Sequence, residues 1–233
     1  MTIVDTANVF FRNRFAVLFV LLFCVLLIPP YFEDTDWIAQ FWRGLFTLVL
    51  LWALYSAVGS RRALMLAVLL LLPTLASTWL ADPAQTRFVA YVDNITNIAY
   101  FGLICAFLGQ YVLRSRQVTV EVIFAAMCLY MILAILWAAI FTNIELFYRE
   151  AFLFQGAFAH EANIGPEDLF RHLTYYSFVT LSTLGYGDII PANLVARNWA
   201  AMEAMIGQFF IAIVIARLVS IYTLQASAEQ AEQ

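Results

Sequence analysis

Five stretches of this 233-residue chain carry no charged side chain: 15–32, 44–58, 63–81, 94–113 and 122–144. A lipid-spanning helix needs about 20 apolar residues. The stretch at 44–58 reaches that length from Trp37 with one charge, Arg43. A last apolar stretch, 198–224, contains Glu203 and Arg217. With 64% hydrophobic and 12% charged residues, the chain lies far outside the range of soluble domains. Runs this long favour helices. The expected fold is an all-α membrane protein with six spans, at about 15–32, 37–58, 63–81, 88–113, 118–142 and 198–224. A shorter apolar segment, 169–187, is expected to re-enter the membrane without crossing it.

All twelve basic residues are Arg. Arg12, Arg14, Arg61, Arg62, Arg114 and Arg116 fall at alternate ends of the spans, and Glu33, Asp34, Asp36 and Asp82 at the opposite ends. The Arg bias places the N-terminus and the turns at 59–62 and 114–117 in the cytoplasm. Six spans return the C-terminus to the same side. The first apolar run ends in Ile28-Pro29-Pro30-Tyr31 without a small-x-small cleavage pattern, so it reads as a retained span. The expected division is a four-helix unit at 1–117, a second membrane unit at 118–224 and a short cytoplasmic tail at 225–233. Cys24, Cys105 and Cys128 all lie inside spans and read as small apolar residues.

Between the last two spans stands Thr180-Leu181-Ser182-Thr183-Leu184-Gly185-Tyr186-Gly187-Asp188. Glycines at 185 and 187 can take positive φ without a Cβ clash. That breaks the usual alternation of carbonyl directions and lets successive carbonyls point one way. Rings of such oxygens can replace the water shell of a potassium ion. Pro166-Glu167-Asp168 opens a helix before the loop: proline suits the first turn and carboxylates suit the positive dipole end. That helix is expected to stop near Leu181, with its negative end beside the loop.

From Tyr175 to Asp188 the chain resembles the pore loop of potassium channels, usually T-x-x-T-V-G-Y-G-D. The resemblance covers the span–loop–span unit at about 118–224. It implies a six-span bacterial-type channel in a plasma membrane, passing K+ passively, with no cofactor, catalytic residue or nucleic-acid partner. Carbonyls of Thr183, Leu184, Gly185 and Tyr186, with the Thr183 hydroxyl, would form stacked cages around K+, and Gly187 completes the filter. One chain supplies a quarter of each cage, so four copies with cyclic symmetry are expected. Tyr186 would pack on Tyr175 and Tyr176. Asp188 would sit at the outer mouth with the Tyr176 hydroxyl as partner. Two positions depart from the family pattern. Leu184 stands where Val or Ile is usual, and Val179 stands where some relatives carry a Glu that couples to the Asp. Gly207, 19 residues after Asp188, occupies the place of the inner-helix bending point. It reads equally as a hinge or as a close-packing site.

A voltage sensor needs Arg at every third position of one span. The stretch 88–113 has none, and its one charged residue is Asp93. Strong voltage gating is therefore not expected. Arg43 and Asp93 lie at a shared depth of roughly 8–9 Å inside the outer ends of their spans, which favours a pair within the membrane. Glu203 is expected to bond to a Ser or Thr on the back of the pore helix, or else to face the cavity. Arg217 is expected to reach lipid phosphate. Two other readings stay open: a weakly selective cation channel, because of Leu184, and an accessory membrane subunit of another channel. Clustered catalytic side chains and inverted repeats are both absent from the sequence, which disfavours an enzyme or a secondary transporter.

Overall fold

The computed structural model describes residues 13–28, 38–57, 61–80, 87–155 and 166–231. Seven helices and one two-stranded ribbon lie among them: α1 (Arg14–Leu27), α2 (Ile38–Ala57), α3 (Arg61–Leu80), α4 (Arg87–Arg114), α5 (Val120–Phe147), β1 (Phe152–Phe154), α6 (Pro166–Leu181), β2 (Ile189–Pro191) and α7 (Leu194–Ala231). Arg12, Glu33, Asp34, Asp36, Asp82 and the side chains of Arg62 and Asp93 lie outside the described residues.

Three helices among the described residues are long and apolar enough to cross a membrane: Ala90–Arg114, Val120–Phe147 and Leu194–Thr223. Arg14–Leu27 and Leu64–Ala76 are shorter apolar segments. The fourteen residues of α1 rise about 21 Å, short of a hydrocarbon core of about 30 Å.

Helix α5 is the central post. It packs against α4, α1, α6 and α7. Thr119 caps its start by accepting from the Val122 N–H. Its buried positions run all round the helix, from Val122 to Ile144, as expected of a helix enclosed by neighbours. By contrast α1 buries only Phe15, Leu18, Leu22 and Val25, a 3-4-3 stripe that lays one face against the core. Tyr100 of α4 donates to the Leu50 carbonyl of α2 at 2.5 Å. Asn94 of α4 donates to Asn143 Oδ1 at 3.0 Å and to the Ala139 carbonyl at 2.6 Å on α5. These bonds give buried polar groups their partners.

Several boundaries differ from the sequence expectation, among them the end of α7, which runs to Ala231 rather than 224. Helix α5 continues to Phe147, beyond 142, and turns where Glu145 accepts from the N–H groups of Glu150 and Phe152. The segments on either side of α6 pair as an antiparallel ribbon, with Leu153 opposite Ile190. Helix α7 starts at Leu194 rather than 198, because Asn193 Oδ1 accepts from the Ala196 N–H and caps it there.

Candidate functional site

Helix α6 spans Pro166–Leu181 and ends in a Schellman motif. The Leu184 N–H donates to the Val179 carbonyl at 2.9 Å, and the Thr183 N–H donates to the Thr180 carbonyl at 2.9 Å. Such a cap requires a left-handed residue two places past the last helical turn, normally glycine. Here it is Thr183, with φ of 58°. A β-branched side chain in that region is strained, at a cost of about 1–3 kcal/mol. Gly185 and Gly187 follow with φ of 62° and 80°. Leu184 and Tyr186 between them keep negative φ. Handedness therefore alternates residue by residue from 183 to 187, the backbone condition for carbonyls on one side. A Cβ at Gly185 or Gly187 meets nothing within 4 Å. Their requirement for glycine is conformational, not steric.

Helix α7 seats against this turn at successive points. A Cβ at Gly207 would lie 2.2 Å from the Leu181 carbonyl oxygen. Gly207 thus lets two backbones touch, and α7 runs through it as one continuous helix. Glu203 is completely buried and faces the back of α6, where the Ser177 hydroxyl contacts its Oε1 at 2.5 Å. Ser177 Oγ also lies 2.7 Å from the Ala134 carbonyl of α5, so one hydroxyl ties three helices together. Lower down, Arg217 donates to the Leu113 and Ser115 carbonyls at the end of α4. It satisfies a helix terminus rather than reaching out to lipid phosphate.

The loop returns to the ribbon through Asp188. The expected Tyr176 partner is replaced by Tyr175, whose hydroxyl donates to Asp188 Oδ2 at 2.6 Å. Successive helical residues point about 100° apart, and Tyr176 turns inward between Phe141 and Phe152, with ring centroids 5.2 Å away in each case. Asp188 Oδ1 accepts from the Ile189 N–H, and its carbonyl accepts from the Gln155 N–H. Tyr186 does not enclose itself against Tyr175 and Tyr176 within one chain, since it is 67% exposed. Leu184, at 56%, is also uncovered.

Arg43 is half-buried on α2; its expected partner Asp93 falls among the side chains outside the described residues. Sequence reading missed Glu145, Asn143 and Gln208. A polar residue isolated in an apolar run was the available signal for the last two.

The geometry describes a short helix leading into a backbone loop of alternating hand, flanked in sequence by two long apolar helices. Residues 117–223 match a family model described as an ion channel. No curated protein and no solved structure matches the chain. The match, together with the apolar helices, supports an ion-channel pore in a membrane protein.

Proposed function

We propose that the chain forms a potassium-selective channel, with Thr183, Leu184, Gly185, Tyr186 and Gly187 as its filter and four copies around one axis. The observation that carries this reading is the alternation of positive and negative φ from Thr183 to Gly187 at the carboxyl end of α6. Carbonyls aligned in this way offer cages for a dehydrated cation, and the negative helix end favours positive charge there. The exposure of Leu184, Tyr186 and Phe209 in a single chain supports further copies covering them. The channel sits in a plasma membrane with both termini cytoplasmic and passes K+ without a cofactor. Voltage dependence is weak, because no Arg array lies between 88 and 113. Gly207 holds α7 to the pore helix, and bending there would need that contact to part.

Gly185→Ala tests the filter. The substitution has space but the wrong φ preference, so rubidium uptake into proteoliposomes should disappear while the assembled particle keeps its size. Uptake equal to that of the unsubstituted chain would sink the assignment.

A further inference from the structure

Between Glu203 and Arg217 the sequence of α7 has one polar side chain, Gln208. A carboxamide in an apolar helix is retained at a cost unless it finds a partner. Gln208 Nε2 donates to Thr183 Oγ1 at 3.1 Å. That threonine is the strained residue of the turn, with φ of 58°. The neighbouring Gly207 lets α7 approach Leu181 closely enough for the bond to form.

A hydroxyl has one proton and two acceptor lone pairs. When Gln208 donates into one lone pair, the rotation of the hydroxyl is restricted and the second lone pair keeps a defined direction. We propose that Gln208 is a positioning residue that orients the Thr183 hydroxyl and thereby sets the affinity of the innermost cation site, which takes a dehydrated cation of potassium's size, monovalent or divalent. This rests on the reading of residues 183–187 as a filter.

Barium, a divalent cation of that size, is the probe. Its half-blocking concentration is measured on potassium currents in planar bilayers, with barium added to each side in turn. Gln208→Met keeps length and volume and removes the donor. It should shift the half-blocking concentration about five-fold, the worth of one net hydrogen bond. The same shift should appear in a Thr183→Ser background, which keeps the hydroxyl, and vanish in Thr183→Val, which lacks it. Barium binding to detergent-solubilised protein by titration calorimetry gives the same cycle for any variant that carries no current. An equal shift in the Thr183→Val background, or none in the native background, overturns the inference. If the unsubstituted chain passes no potassium current, the filter reading itself fails and this inference with it.

Discussion

The two halves of the chain are held together by different means. Before residue 117, buried contacts are mostly apolar: Phe15, Leu18 and Leu22 on α1, Phe46, Val49 and Leu50 on α2, and Tyr100, Phe101, Ile104 and Leu108 on α4. Within that half, cross-helix bonds run from ring groups to backbone carbonyls, Tyr100 to Leu50 and Trp52 to Arg14, or lie exposed, as Trp79 to Thr47. After it, side-chain hydrogen bonds recur at each junction: Ser177 with Glu203, Tyr175 with Asp188, Glu145 with the turn after α5, and Gln208 with Thr183. Apolar packing fills volume and tolerates exchange of similar shapes. Directional bonds fix angles. The second half therefore holds a particular backbone conformation in place, and the first half packs against its central helix α5 through α1 and α4.

Glycine substitution gives the largest expected separation of the halves. Gly207→Ala drives a Cβ into the Leu181 carbonyl, and should cost about 1–3 kcal/mol or more in overpacking and lower the thermal midpoint of the purified protein. Gly44→Ala, on α2, meets nothing within 4 Å and should stabilise by up to about 1 kcal/mol through helix propensity. Equal midpoints for the two variants would erase the distinction.

The seam between the halves can be tested next. Asn94→Leu or Asn143→Leu alone strands a buried amide and should destabilise by about 1–3 kcal/mol. The double variant should recover much of the loss, and strictly additive losses in chemical denaturation would rule out the coupling.

Arg43 and Asp93 provide a parallel cycle inside the first half. If they pair, Arg43→Leu and Asp93→Leu should each cost about 1–3 kcal/mol and the double change should cost less than either. Ion selectivity should stay unchanged in all three, because the proposed filter lies in the other half. A selectivity change would mean that the first half presses on the filter directly.

The smallest effect concerns voltage. Each charge moved across the field is worth about 2.3 kcal/mol per 100 mV. Without an Arg series in 88–113, open probability between about −100 and +100 mV should be nearly flat. A steep curve would make the first half a sensor and direct attention to Arg43, Arg114 and Arg116.

The pore helix was legible because both of its ends carry strong signals, Pro166 at the start and glycines beyond Leu181. Gly185 and Gly187 were legible as positive-φ sites because no other residue adopts that region as freely. Thr183 was not, since a β-branched residue disfavours it; only the six-residue cap, with its bonds to Val179 and Thr180, explains it. The ribbon of Phe152–Phe154 and Ile189–Pro191 is too short for a period-two pattern to register. Choosing Tyr175 over Tyr176 for Asp188 depended on which face of α6 met Phe141 and Phe152, and neighbouring positions gave no means to decide. Span counting is where length and composition separate the halves again. Long apolar helices stand out in 87–231, whereas the earlier segments include the shorter Arg14–Leu27 and Leu64–Ala76.

The central claim is that the loop from Thr183 to Gly187 selects potassium. The most direct measurement is the reversal potential of the purified chain in a planar bilayer, with potassium on one side and sodium on the other. The account predicts a reversal potential displaced far toward the potassium equilibrium value, with the current lost in Gly185→Ala. A reversal potential near zero, carried by a current that survives Gly185→Ala, would contradict it.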